Sequence, residues 1–351
     1  MDFSKAISEL LNLTKPFVGR PDLIQGPGGN TSVKNESGDM LIKASGYRFN
    51  ELSEKSGISA VNARAIADYF STVEVISKEK CEKESLELVS QNILSDAAGI
   101  KFPKPSMETG FHAVLDKYVV HTHSVWTNLI NCNTNSSELI QKISERLKQP
   151  IAYIPFVSPG FGLSYLITKE LKNAEEHRTN KPVLFFLENH GIVAHGDSPS
   201  KIVDLLTELD SVCAELFSSK IESYPSTVLS KTENEFFPVN TYCSDFLKKN
   251  NVTLSFFDQV LFPDQTVFFN ANISFNSQQR NKINIGADYK VSYACNEREA
   301  MSIHETLTAY LFLYSTLFEL GQTLRLISGE EIDYINNMDM EKHRKNLMNK
   351  S

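Results

Sequence analysis

A formal net charge of -8 over 351 residues, with no cluster of Lys and Arg outside the last few residues, excludes a dedicated nucleic-acid binder, which needs a basic face to neutralise phosphates. An apolar fraction of 41% excludes a disordered chain and suffices for one large core or two of ordinary size. No stretch reaches the length needed to span a bilayer, and the opening residues lack the apolar run of a secretory signal, so no membrane partner and a cytoplasmic location are expected.

In chain order, "MDFSKAISELLNLTKPF" has an amphipathic helical pattern. "QGPGGNTSVK" follows, a loop whose glycines leave backbone N–H groups open to an anion. It is neither a Walker A loop, lacking Gly-Lys-Ser/Thr, nor a dinucleotide fingerprint, lacking G-x-G-x-x-G spacing. "DMLIKAS" reads as a strand that brings Ser45 and Gly46 to a turn, and "SAVNARAIADYF" as a helix. "METGFHAVLDKY", with Phe111, Val114, Leu115 and Tyr118 at helical spacing, predicts a helix carrying Glu108 at its start. It leads by a short join into the strand "VVHTHSVWTN". "PVLFFLENHGIVAHGDS" is a strand broken by a polar turn over Glu188 to Gly191, and Ser198-Pro199 starts a helix with a broad apolar stripe from Ile202 to Leu216.

Beyond about residue 230 the texture changes. "SKTENEFFPVN" reads as a connector, "QTVFFNANISF" and "KINIGADYKVSYAC" as strands, and Glu297 to about Leu326 as one long helix. These divide the chain into residues 1–230 and a C-terminal α+β unit, 231–351, packed on the first. The acidic residues of "FFDQVLFPDQTVFF" read as turns and solvated edges, and the terminal "EKHRKNLMNK" as a solvated helix end. Cys81, Cys132, Cys213, Cys243 and Cys295, scattered and without a C-x-x-C pair, read as reduced core residues.

The chemistry concentrates in few residues. His121 and His123, two apart in a strand, face the same side of a sheet, as two metal ligands on one rigid element do; a pair of ordinary polar residues has the same pattern. His190 stands at the break of the later strand, and three imidazoles make a catalytic zinc set with one open position. Glu108 beside such a cation is a credible acid/base, whereas His112 and His195 read as packing and strand-end residues.

Taken in order, "GGNTSVK", "KASG", "PSMETGFHAVL", "VVHTHS" and "LENHGIVAHGD" resemble the class II aldolase/adducin family over roughly the first 220 residues. The wording is nearest to the aldolase half of long rhamnulose-phosphate aldolase/alcohol dehydrogenase proteins, without their second, Rossmann half. The resemblance implies a three-layer α/β/α sandwich with a mainly antiparallel central sheet, assembled as a homo-oligomer, usually a tetramer. It implies that His121, His123 and His190 bind Zn2+ or another divalent metal, that Glu108 is catalytic, and that Gly29, Asn30, Ser45, Gly46 and Ser106 cradle a substrate phosphate. Two departures bear on the phosphate: Met107 stands where a second Ser is expected, and Pro27, without an N–H, near an expected Thr. The family's catalytic Tyr has no counterpart in "INCNTNSSELIQ".

The implied activity is aldol cleavage of a ketose 1-phosphate, a small-molecule sugar phosphate, to dihydroxyacetone phosphate and an aldehyde through a zinc-stabilised enediolate. Alternatives are a sugar-phosphate epimerase or decarboxylase of the same family, a non-catalytic adducin-like interaction module, which has no use for three histidines, and a zinc hydrolase.

Overall fold

The computed structural model describes residues 3–338 except 76, 97, 178, 218–222, 270–271 and 278; the basic terminal segment lies outside the described residues. The first part of the chain builds a seven-stranded sheet from β1 (Asn30–Lys34), β2 (Asp39–Lys43), β3 (Ile58–Asn62), β4 (Tyr118–Thr122), β5 (Ile151–Ile154), β6 (Leu184–Leu187) and β7 (Gly191–Gly196). The spatial order is β3-β2-β1-β4-β7-β6-β5, and every neighbouring pair is antiparallel except β5 with β6. The expected mainly antiparallel sheet is therefore present.

Among the described residues, eight α-helices accompany this sheet: α1 (Ser4–Thr14), α2 (Ala63–Thr72), α3 (Lys78–Gln91), α4 (Thr109–Val114), α5 (Val125–Asn131), α6 (Ser136–Leu147), α7 (Phe161–Glu176) and α8 (Pro199–Phe217). Strand alternation sorts the side chains between two faces. Val120, Leu184, Phe186, Ile192 and Ala194 pack toward α1, α5, α6 and α8. Val119, Phe185, Leu187, Val193, Met40 and Ile42 turn the other way, toward α2, α3, α4 and α7. Both faces are covered, which explains the nearly continuous apolar runs in β4, β6 and β7.

The C-terminal part forms a five-stranded sheet, β10-β11-β12-β9-β8, from β8 (Leu229–Thr232), β9 (Glu235–Pro238), β10 (Ile273–Phe275), β11 (Ile283–Ile285) and β12 (Val291–Tyr293). Its helices are α9 (Tyr242–Lys249), α10 (Pro263–Phe268), α11 (Glu297–Glu319) and α12 (Gly329–Asn337). Helix α11 packs on α5, and residues of both parts share one apolar cluster.

Several boundaries differ from the sequence expectation. "SAVNARAIADYF" begins as strand: β3 runs to Asn62, whose side chain then caps α2 by accepting from the Ala65 N–H at 3.2 Å. "QTVFFNANISF" begins as helix α10, because Pro263 at its first position presets a helical φ, and only Ile273–Phe275 is strand. The last long helix stops at Glu319 rather than near Leu326, where Gly321 takes φ +64° and turns the chain. Helix α4 is a short six residues, and Tyr118 already belongs to β4. His123 lies one residue past β4.

Candidate metal centre

The site lies at one end of the adjacent strands β1, β4 and β7. Register does the first part of the assembly: Asn30 pairs with His121, and His121 with Val193. The β6–β7 turn then delivers His190, immediately after Asn189, which holds φ +52°. On the sheet face that His121 and Asn30 turn to lies α4, with Glu108 as its N-cap residue. All four functional candidates are buried, His121 completely.

The ring nitrogens define the electrostatics. His121 Nδ1 faces the Ile192 carbonyl at 3.0 Å, and His123 Nδ1 faces Asp264 Oδ2 at 3.0 Å. Both partners only accept, so each Nδ1 carries the proton, and each Nε2 presents a lone pair. Those two Nε2 atoms are 3.1 Å apart. Glu108 Oε1 lies 3.5 Å from His121 Nε2 and 3.4 Å from His190 Nε2. That oxygen is buried and has no hydrogen-bond partner. One ligand atom from each of His121, His123 and His190 falls within 4.8 Å of the others. The His121 and His123 lone pairs and the Glu108 oxygen converge as acceptors that repel one another, and a cation at their centre reverses the sign. The donor set fits a divalent metal such as zinc.

Protonation does not offer another solution. Burial pushes His121 down to about 4 and His190 to about 3, so both imidazoles are neutral and ligand-ready near pH 7. Burial acts to raise the Glu108 carboxyl, but His121, His190, His123 and the Asn30 hydrogen bond outweigh it and lower it to about 2, leaving a carboxylate.

The expected phosphate residues sit beside this cluster. Gly29, Asn30, Ser45, Gly46 and Ser106 line one narrow cleft together with Lys43, Met107, Glu108, His123, His190, Pro263 and Asp264. Asn30 is committed within the protein: its Nδ2 donates to Glu108 Oε2 at 2.6 Å and to Ser106 Oγ at 3.1 Å, and its Oδ1 meets His112 Nε2. His112 is thus more than packing, since its other nitrogen meets Ser32 Oγ at 2.7 Å and the ring braces the residue that braces Glu108. His195 does serve the strand end, contacting the Pro182 carbonyl and Asp116.

Sequence reasoning missed Lys43, Asn189 and Asp264. Lys43, almost fully buried, donates to the Pro27 and Tyr47 carbonyls at 3.0 and 2.8 Å and puts a cation at the cleft. Its position inside "KASG" was the available signal. Asp264 was read with its neighbours as a solvated edge; it is 3% exposed, because Pro263 starts a wholly buried helix there. Asp258, in the same stretch, is exposed as expected.

Comparison with known proteins follows the same residues. The family model for the "Class II Aldolase and Adducin N-terminal domain" matches residues 8–217. An "Uncharacterized oxidoreductase YuxG" of Bacillus subtilis is 28% identical over 182 residues, 49% of this chain and 24% of that protein. A "3-oxo-tetronate 4-phosphate decarboxylase" of Escherichia coli is 29% identical over 136 residues, 36% of this chain and 61% of that protein. The chain therefore spans less than two thirds of either relative. Among solved structures, an N-terminal class II aldolase domain from Thermoplasma acidophilum aligns with TM-score 0.49 at 21% identity, covering 62% of this chain and 95% of the other. No helix among the described residues is long and apolar enough to cross a membrane.

Proposed function

The chain belongs to the class II aldolase and adducin family through residues 8–217, and from that premise we propose that it is a divalent-metal-dependent carbon–carbon lyase acting on a sugar phosphate. The observation that carries this reading is the Glu108 Oε1, without a hydrogen-bond partner, beside three buried imidazoles whose ligand atoms lie within 4.8 Å of one another. In this reading His121, His123 and His190 hold the metal, zinc being our choice. When bound, the ion supplies Lewis acidity toward the oxygens of a keto-sugar.

The protein's own residues do the remainder. Asn30 fixes one oxygen of Glu108, so the other has a single direction from which to take a proton from a substrate hydroxyl or return one to the developing carbanion. Gly29, Ser45, Gly46 and Ser106 offer N–H and hydroxyl groups to the phosphate, with the Lys43 charge behind them. Lys43 compensates for Met107, which brings no hydroxyl. Burial of the whole cluster excludes water from the reacting atoms. The reaction so supported is cleavage of a ketose 1-phosphate to dihydroxyacetone phosphate and an aldehyde.

Decarboxylation of a sugar-acid phosphate is the second reading, favoured by the likeness to the decarboxylase over 136 residues. Both start from the same polarised carbonyl. We also expect a homo-oligomer, which light scattering checks.

The deciding experiment incubates the zinc-loaded protein with a panel of ketose phosphates and 3-oxo sugar-acid phosphates. Release of dihydroxyacetone phosphate supports the first reading and release of carbon dioxide the second. Turnover of neither class rejects both. In parallel, His123→Ala is expected to empty the site by metal analysis; a full complement of zinc in that variant contradicts the ligand assignment.

A further inference from the structure

We propose that the segment Leu261 to Asp264 of the C-terminal part is a working piece of the metal centre, with Asp264 as a positioning residue for His123 and the Leu261 carbonyl as a clamp on the turn carrying His190. The proposal rests on reading the three imidazoles as metal ligands, and it assigns the C-terminal part a role at a site built otherwise from residues before 200.

Asp264 Oδ2 accepts from His123 Nδ1 at 3.0 Å, on the side of the ring away from the other imidazoles. It is therefore no ligand itself, but it sets the tautomer and the ring plane and makes Nε2 a better donor. Both groups are buried, so the contact is little screened by solvent.

Room for this pair is kept by a residue of the glycine loop. A Cβ on Gly28 would lie 2.8 Å from His123 Nδ1, 3.0 Å from Asp264 Oδ2 and 2.8 Å from the Gln25 carbonyl. Any side chain there would wedge ring and carboxylate apart. The loop that reads as an anion cradle thus also leaves space for an outer carboxylate on a metal ligand.

A second contact is independent of the first. Asn189, whose left-handed backbone precedes His190, donates through Nδ2 to the Leu261 carbonyl at 2.8 Å and to the Arg325 carbonyl at 2.7 Å. Leu261 is itself fixed, its N–H donating to Gln265 Oε1 at 3.0 Å. Two of the three imidazoles are therefore held from behind by four consecutive residues. His121, by contrast, is held by the Ile192 carbonyl within its own sheet.

The test measures zinc affinity of the full-length protein by competition with a chromogenic chelator, and the visible spectrum of the cobalt(II) form. Asp264→Ala is expected to weaken zinc binding roughly 10- to 100-fold. Asp264→Asn, which keeps the shape and an accepting oxygen but loses the charge, is expected to fall between Ala and wild type and to shift the cobalt bands. A merely structural Asp264 would change the thermal midpoint of the metal-free protein without changing either readout. Wild-type affinity and an unmoved cobalt spectrum in a folded Asp264→Asn variant overturn the Asp264 assignment, and the same result in Asn189→Gly, which keeps the left-handed backbone and removes the bond to Leu261, overturns the clamp, neither touching the metal reading. Failure of the wild type to bind either metal overturns both the proposal and the metal reading beneath it. If Asp264→Ala does not fold, the Asn variant decides.

Discussion

Glu108 has two oxygens in different circumstances, one held at 2.6 Å by Asn30 and one bare among imidazoles, and the asymmetry defines its chemistry. Glu108→Gln retains the volume and leaves the three imidazoles in place but removes the proton acceptor. The expected outcome is metal content close to wild type with turnover at least about 100-fold lower, the scale of losing a general acid/base. Near-normal turnover in a metal-loaded variant would refute the role. The candidates at this site were legible because they sit in short strings whose order is distinctive: "VVHTHS", "LENHG" and "PSMETG". Their partners were not. Asp264 and His112 are ordinary letters in apolar surroundings, and their meaning comes from a β-sheet register and a helix docking that join distant parts of the chain. A local pattern names a ligand; only tertiary structure names what orients it.

Helix α4 makes the same point for an element. Six residues cannot sustain a helix alone in water, yet this one must present Glu108 at its N-terminus. Its carbonyl end is met by Lys34 from β1, whose Nζ donates to the carbonyls of His112, Leu115 and Asp116, the latter two at 2.7 and 2.8 Å. Lys34→Met keeps the stem and removes all three bonds, leaving buried carbonyls without partners. A loss of about 2–4 kcal/mol in urea-unfolding free energy is expected, at the upper end for single substitutions. Weaker metal binding should accompany it, because Glu108 moves with the helix. Unchanged stability would show that water replaces the ammonium without cost. The apolar periodicity of "METGFHAVLDKY" predicted a longer helix, since Tyr118 keeps the spacing while serving β4. The alternation of the strands proved easier to read than helix ends, because both sheet faces are buried whereas ends depend on caps such as Lys34 and Gly321.

At the scale of the molecule the two sheets do not fold around separate interiors. Trp126 of α5 packs edge-on against Phe312 of α11 at 5.4 Å between ring centres, and one apolar cluster runs from Phe3 to Ile335. The change of texture near residue 230 marks where one sheet gives way to the other, but composition carries no sign that the cores merge. Inside the C-terminal part, His304 of α11 is fully buried; its Nδ1 meets Tyr293 Oη at 2.9 Å, and its Nε2 has no hydrogen-bond partner among the described residues. Burial pushes its pKa down to about 4. An unfolded histidine takes up a proton near pH 6.5, so between about 6.5 and 4 the unfolded chain holds one proton that the native chain does not. Stability therefore rises with pH across that window, and acidification removes it at about 1.4 kcal/mol per pH unit from this residue. His304→Gln keeps an acceptor for Tyr293 and cannot titrate. In urea unfolding of the metal-free protein, with chelator present, the wild-type free energy should fall more steeply on acidification than that of the variant, by up to one proton's worth. Parallel curves between pH 6.5 and 4.5 would mean that His304 is already protonated in the native core, or that water reaches its free nitrogen.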